Sequence, residues 1–377
     1  MNSFVKFVKK EIVLLISVLL AVTTSILGKT SPKMLVGAID WRVISLLFSL
    51  MLVIQAFRSV NILDKIADFF INKCNSVRKL YFSLMLLVFF FSMVVTNDVA
   101  LLTFVPITIL IFKRINISCV DIIILETIAA NLGSSVTPMG NPQNLFLFSF
   151  YNFSVSEFLF MGTKLGIVSL IILILFVFVF TRSKNEIVIN SEKRDSITCN
   201  IKLSIYYLFI LVFVLLSVFR IVDYRLSFVL SLLCISFVNI KLVAKVDFSL
   251  LVTFIAFFIF TSNISNSKAI ANFFSSILQN DKNVFFTGIG LSQIISNVPA
   301  SLLLSTFTNQ AKALFYGVNI GGLGTLIASL ASVISYKLYK NEVNNQNSEN
   351  INDRYVLKFS IINVVFLVVL ILIFVKG

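Results

Sequence analysis

Residues 135–148 read SVTPMGNPQNLFLF, and they interrupt an otherwise apolar run. Two prolines, a glycine, two asparagines and a glutamine fall within ten positions of one another. Pro138 and Pro142 remove helix donors, and Gly140, with Gly133 just upstream, permits tight turns. Irregular backbone of this kind survives at membrane depth only where it is buried in protein or lines a watery cavity, because lipid supplies no hydrogen-bond partner. The stretch therefore reads as a helix broken on purpose, with freed amide and carbonyl groups available to a bound ion.

The rest of the chain supplies the membrane. Of 377 residues, 58% are hydrophobic and only 13% charged, against roughly 25% in soluble domains. Apolar runs such as EIVLLISVLLAVTTSIL and FSIINVVFLVVLILIFV approach the roughly 20 residues that span a hydrocarbon core as helix. Period-2 alternation, the mark of a transmembrane barrel, is absent. Lys6, Lys9 and Lys10 precede the first run without a small-residue cleavage site, so the N-terminus reads as an uncleaved span. Cys74, Cys119, Cys199 and Cys234 are scattered and read as small apolar fillers.

A net charge of +14 would raise nucleic acid as a partner for a soluble protein; in this chain it reports topology, and no nucleic acid is expected. Most of the 31 basic residues lie in a few loops, around residues 6–10, 58–79, 113–114, 182–202, 241–245 and 337–358. Placing all of these in the cytoplasm gives a cytoplasmic N-terminus and crossings at about 11–27 and 43–57, then an amphipathic surface stretch with Ile62, Ile66, Phe69 and Phe70 near one face. A re-entrant hairpin over 80–112 turns at Thr96, Asn97 and Asp98, which keeps Lys79, Lys113 and Arg114 on one side. An interrupted helix over 119–151 and a span at about 162–180 complete a first unit, residues 1–181. After a cytoplasmic linker, 182–203, a second unit, 204–377, holds spans near 204–222, 226–240 and 248–262, a hairpin over 283–308, an interrupted helix over 311–337 and a last span that leaves the C-terminus outside. The expected fold is an all-α integral membrane protein with about nine crossing helices, two re-entrant hairpins and two interrupted helices, in the plasma (inner) membrane.

The two units resemble each other. SMVVTNDVALL from Ser92 lies beside SQIISNVPASL from Ser292, NLGSSVT from Asn131 beside NIGGLGT from Asn319, and DKIADFF beside SKAIANFF. AIDWRVISLLF and KVDFSLLVTFI pair Asp40 with Asp247, which the charge rule puts on opposite sides. These are the signs of two inverted-topology repeats, the arrangement by which many secondary transporters expose one midplane site to each side in turn. Side-chain oxygens of Thr96, Asn97, Ser134, Ser296 and Asn297, with carbonyls at half-helix ends, suit a hard cation such as sodium. Half-helix N-termini suit an anion. Asp98, between FFFSMVV and LLTFVP, reads as a carrier of a proton or cation, or as a cap at the turn. Glu126 is a weaker candidate that can bond a neighbouring hydroxyl, and Lys312 attracts anions or snorkels. With no histidine, H-E-x-x-H, G-x-S-x-G or P-loop, an enzyme is not expected, nor is a cofactor.

TNDVALLTFVP, NLGSSVTPMGNPQN, SQIISNVPASLLL and NIGGLGTLIASLAS together resemble the citrate-transporter-like families of the ion transporter superfamily. These include arsenite permeases, D-type sodium/proton antiporters and divalent anion/sodium symporters, and the likeness is strongest to bacterial inner-membrane permeases. The resemblance implies hairpin tips that meet near the midplane, with Thr96 and Asn97 at the first and Ser296 and Asn297 at the second. It implies that Gly133, Ser134, Thr137 and Asn141, and Gly321, Gly322, Thr325 and Ser329, stand at the breaks. Sodium would then lie near Thr96, Asn97 and Gly133 and near Ser296, Asn297 and Gly321. Homodimers occur in the anion branch. Asp98 and Val298 replace the threonines of that branch's Ser-Asn-Thr tips. Three functions follow: a carrier of a small carboxylate or inorganic oxyanion coupled to sodium or protons; a sodium/proton antiporter using Asp98; and a non-transporting membrane scaffold, for which both tip asparagines would be dispensable.

Overall fold

The computed structural model describes residues 11–71, 73–115, 117–182, 198–344 and 350–375. Most of the predicted linker and the N-terminal lysines lie outside the described residues. Among those described, helices account for all the regular structure and no strand occurs. In the first half, α1 (Ile12–Leu27) and the short α2 (Pro32–Gly37) lead to α3 (Trp41–Ser59), the amphipathic α4 (Ile62–Ile71), α5 (Val77–Val95), α6 (Asn97–Arg114), α7 (Val120–Ser134), α8 (Pro142–Phe150) and α9 (Val155–Thr181). In the second, α10 (Ile201–Val218) and α11 (Tyr224–Asn239) precede α12 (Phe248–Ser265), α13 (Lys268–Ile277), α14 (Asp281–Ile295), α15 (Asn297–Ser305), α16 (Ala311–Gly321), α17 (Leu330–Asn344) and α18 (Asn350–Phe374).

Helix starts follow local chemistry. Asp40, Ser76, Asn141, Ser154, Asn200, Asp247 and Asn280 each accept a backbone N–H two or three residues into the helix that follows. Each such cap contributes about 1 kcal/mol. Seven described helices are long and apolar enough to cross a membrane: α3, α5, α9, α10, α11 with its 3-10 extension, α12 and α18. The shorter apolar α1 comes close to the same length.

The first hairpin is visible in its aromatic pairs. Tyr81 at the start of α5 meets Phe112 near the end of α6 at 5.5 Å between ring centroids, and Phe91 meets Phe104 at 5.2 Å. Pairs that converge on Thr96 in this order require antiparallel arms. Phe69 and Phe70 of α4 are exposed while Leu63 and Ala67 are buried, so the helix lies on the surface with its aromatic face outward.

Packing does not follow the two halves of the chain. One core joins α5, α6, α7 and α9 to α16 and α18; the other joins α3, α8, α10 and α12 to α15. Interlocking brings both breaks and both hairpin tips into one neighbourhood. Two helices meet there at backbone distance: a Cβ on Gly133 would stand 2.3 Å from the Phe89 carbonyl oxygen and 2.6 Å from Ser92 Oγ. Gly133→Ala is therefore expected to destabilise the protein by about 1–3 kcal/mol. Gly290→Ala, where a Cβ would meet nothing within 4 Å, should be neutral or stabilising. Thermal unfolding of the detergent-solubilised variants, followed by size-exclusion fluorescence, checks the contrast.

Candidate functional site

Thr96 and Ser296 break their hairpins with nearly the same backbone: φ 74°, ψ 150° and φ 74°, ψ 154°. A positive φ is costly for a β-branched threonine, about 1–3 kcal/mol, and persists only where surroundings over-determine it. Each is followed by an asparagine that begins the next helix. At the first tip the Asn97 amide donates to the Gly140 carbonyl at 3.0 Å, and Asn97 Nδ2 donates to Asn131 Oδ1 at 3.3 Å. At the second, Ser296 Oγ donates to the Ala328 carbonyl at 3.4 Å.

The two breaks hold each other. Asn131 Oδ1 accepts from Ser329 Oγ at 2.8 Å, and Asn131 Nδ2 donates to Ser332 Oγ at 3.5 Å. In return Asn319 Oδ1 accepts from Asn141 Nδ2 at 3.4 Å, and Asn319 Nδ2 donates to Asn144 Oδ1 at 2.9 Å. A constant offset of 188 residues relates 131 to 319, 141 to 329 and 144 to 332, so the clasp is reciprocal position by position. The helices restart in the same register, α8 at Pro142 and α17 at Leu330.

The break residues have other work. Ser134 Oγ donates to the Asn131 carbonyl and accepts from Asn141 Nδ2. The Gly133 carbonyl accepts from the Val136 amide, and the Gly321 carbonyl accepts from Gln293 Nε2 at 2.7 Å. Gly322 packs against Asn297, where a Cβ would stand 2.8 Å from Nδ2. Thr137 donates to the Met93 carbonyl, and Thr325, at the corresponding position, donates to the Gln293 carbonyl at 3.4 Å. Gln293 also bonds the Leu323 carbonyl and the Thr325 amide, stapling the unwound segment to α14.

A cavity of about 510 Å³ reaches the first tip and not the second. Thr96, Asp98 and Asn141 line it, with Leu47, Met51 and Gln55 of α3, Leu330 and Ile334 of α17, and the charged Glu11, Arg58, Lys245 and Asp247. Gly133, Ser134, Thr137, Ser296, Asn297, Gly321, Gly322, Thr325 and Ser329 are not among its lining residues. Asp98 does not cap the turn: it sits inside the first turn of α6, and its shielded Oδ1 accepts no hydrogen bond among the described residues. Asp98 as a residue lines the cavity, while this oxygen is turned away from solvent. Glu126 does bond a neighbouring hydroxyl, accepting from Thr108 Oγ1 at 2.5 Å in the interior. Lys312 pairs with Glu157 at 3.5 Å across an exposed surface, a contact of at most about 1 kcal/mol.

With fold and site in view, a sequence model described as citrate transporter matches residues 5–314. The chain belongs to the citrate transporter family. An uncharacterized transporter of Methanocaldococcus jannaschii is 35% identical over 318 residues, covering 83% of this chain and 85% of the relative. The inner membrane protein YbiR of Escherichia coli is 27% identical over 324 residues, covering 85% and 86%. A 46 kDa membrane protein of Mycobacterium leprae is 28% identical over 136 residues, covering 36% and 32%. The chain is a multi-pass membrane transporter.

Sequence reasoning quoted Asn131 and Asn319 inside the matching motifs without assigning them to the site, and it missed Asn144, Ser332 and Gln293. The 188-residue offset, carried past the first seven matched residues, was the available signal. Asn131→Ala removes one buried partner each from Asn97, Ser329 and Ser332, and Asn319→Ala removes one each from Asn141 and Asn144. Each is expected to lower unfolding stability by about 1–3 kcal/mol, measured by chemical denaturation in detergent micelles.

Proposed function

We propose that this transporter is a secondary active carrier of a small anion, a carboxylate or inorganic oxyanion, coupled to sodium or protons. The observation that carries the reading is a cavity lined by cationic Arg58 and Lys245, by Thr96 and Asp98 of the first hairpin tip and by Asn141 of the first break, with Glu11 and Asp247 as the other charged groups on its wall. Guanidinium and ammonium groups attract an anion, and the N-terminal ends of α6 and α8 add positive partial charge beside that tip. Asp98 repels the same anion until a proton or a sodium ion neutralises it, so the coupling ion binds first and the anion second. Exchange of sodium for protons at Asp98 is the second reading, favoured by the unpartnered Oδ1.

The two halves act as inverted-topology repeats, 1–181 and 204–377. The reciprocal clasp between the breaks and the matched backbone at Thr96 and Ser296 support this pairing. The charge rule puts Arg58 and Lys245 at the cytoplasmic face, so the cavity opens to the cytoplasm, with the N-terminus inside and the C-terminus outside. A plasma-membrane location agrees with the name of the relative YbiR.

Charge moved by the purified protein in proteoliposomes on a solid-supported membrane tests the proposal. Jumps of citrate, succinate and arsenite should produce currents that need sodium or a proton gradient, and Asp98→Asn should lower them at least about tenfold in a protein that keeps its unfolding temperature. Currents from sodium or pH jumps alone would replace the anion carrier by the antiporter. Currents from none of these would remove both.

A further inference from the structure

The two ends of the molecule are built alike and held differently. Asp40 and Asp247 open α3 and α12 with matching backbone, φ −76°, ψ 90° and φ −78°, ψ 85°, and each accepts the amide three residues on, from Val43 at 3.1 Å and Leu250 at 3.0 Å. On the first side Asp40 Oδ2 also accepts from Ser149 Oγ of α8 at 3.2 Å, and α3 packs along α8. The 188-residue offset that relates the breaks turns Ser149 of α8 into Lys337 of α17. On the second side the cavity separates the corresponding elements: it is lined by Asp247 from one wall and by Leu330 and Ile334 of α17 from the other. Lys337 is the next residue outward on that stripe, at the i, i+4, i+7 spacing of one helix face, and it is exposed. Beyond its cap, the Asp247 carboxylate makes no hydrogen bond or ion pair among the described residues.

We propose that Asp247 and Lys337 are the residues that shut the cavity in the other half of the transport cycle. As the cavity closes, α12 and α17 come together as α3 and α8 are now, and an Asp247–Lys337 ion pair takes the place that Asp40–Ser149 holds on the opposite side, which parts. The inference rests on the alternating-access reading above and adds the contact that the symmetry dictates. It also makes the two closures unequal, since one is a carboxylate–hydroxyl hydrogen bond and the other a charged pair. Arg58 and Lys245 line the same cavity and are the competing partners for Asp247.

Cysteine pairs in a background without Cys74, Cys119, Cys199 and Cys234, reconstituted in proteoliposomes and treated with a short bifunctional thiol reagent, test the contact. Asp247→Cys with Lys337→Cys should cross-link and stop transport, with recovery on reduction, and Asp40→Cys with Ser149→Cys should do the same from the opposite state. In the native-cysteine protein Lys337→Asp should slow turnover severalfold and Asp247→Lys added to it should restore the rate, which pairing of Asp247 with Arg58 or Lys245 does not allow. Failure of the 247–337 pair to link while the 40–149 pair links, a 247–337 link that leaves transport running, or a charge swap without recovery would overturn the proposal. A 40–149 link that forms and leaves transport running would instead remove the alternating-access reading on which it stands.

Discussion

A backbone polar group facing lipid without a partner costs several kcal/mol, and this chain breaks its helices four times within the membrane region. The breaks at Thr96, 135–141, Ser296 and 322–329 are held by hydrogen bonds. Asn131 and Asn319 reach across to the opposite break, Asn97 and Ser296 tie the tips to carbonyls of the unwound segments, and Gln293 satisfies three backbone groups at once. Glycines at 133, 140 and 321 let the backbones approach closely enough for these bonds to form. Each half satisfies the backbone of its own break, and the asparagine side chains then join the two breaks to each other.

The scaffold is close to symmetric, and its chemistry is not. Asp98 faces Val298 across the 200-residue correspondence of the tips, and Ser134 faces Gly322 and Glu126 faces Leu314 across the 188-residue correspondence of the interrupted helices. Carboxylates within the membrane region thus stand on one repeat only at these positions. The cavity is one-sided as well, reaching the tip that carries the acid. In the carrier proposed above, the symmetric frame supplies two related positions for the same elements, and the departures from symmetry are where substrate and co-ion would be chosen.

Much of this was legible in the sequence for identifiable reasons. Hydropathy runs bounded the long apolar helices, and polar residues at the centres of apolar runs marked the turns at Thr96 and Ser296 and the two breaks. The first tip stood out because Asp98 has no comfortable place in lipid. What could not be read was which break satisfies which. Asn131 and Ser329 are neighbours only after every intervening helix is placed, and a residue such as Gln293 carries no periodic signal that separates a staple from a ligand. Lys312 looked free on its own helix because its partner, Glu157, lies on another. The glycines were read as sources of turns and ion-binding carbonyls, whereas Gly133 and Gly321 serve first as places where two helices touch.

In the proposed carrier the first hairpin tip lies at the end of a water-filled path from the cytoplasmic side. Val99 lines the cavity beside Asp98, so a Val99→Cys variant in the cysteine-free background reports on that path directly. The rate of its modification by a membrane-impermeant thiol reagent should be fast in inside-out vesicles and should fall when transported ions and substrate are present. A Val99→Cys protein that resists the reagent from both sides, while remaining folded and inserted, would contradict the account.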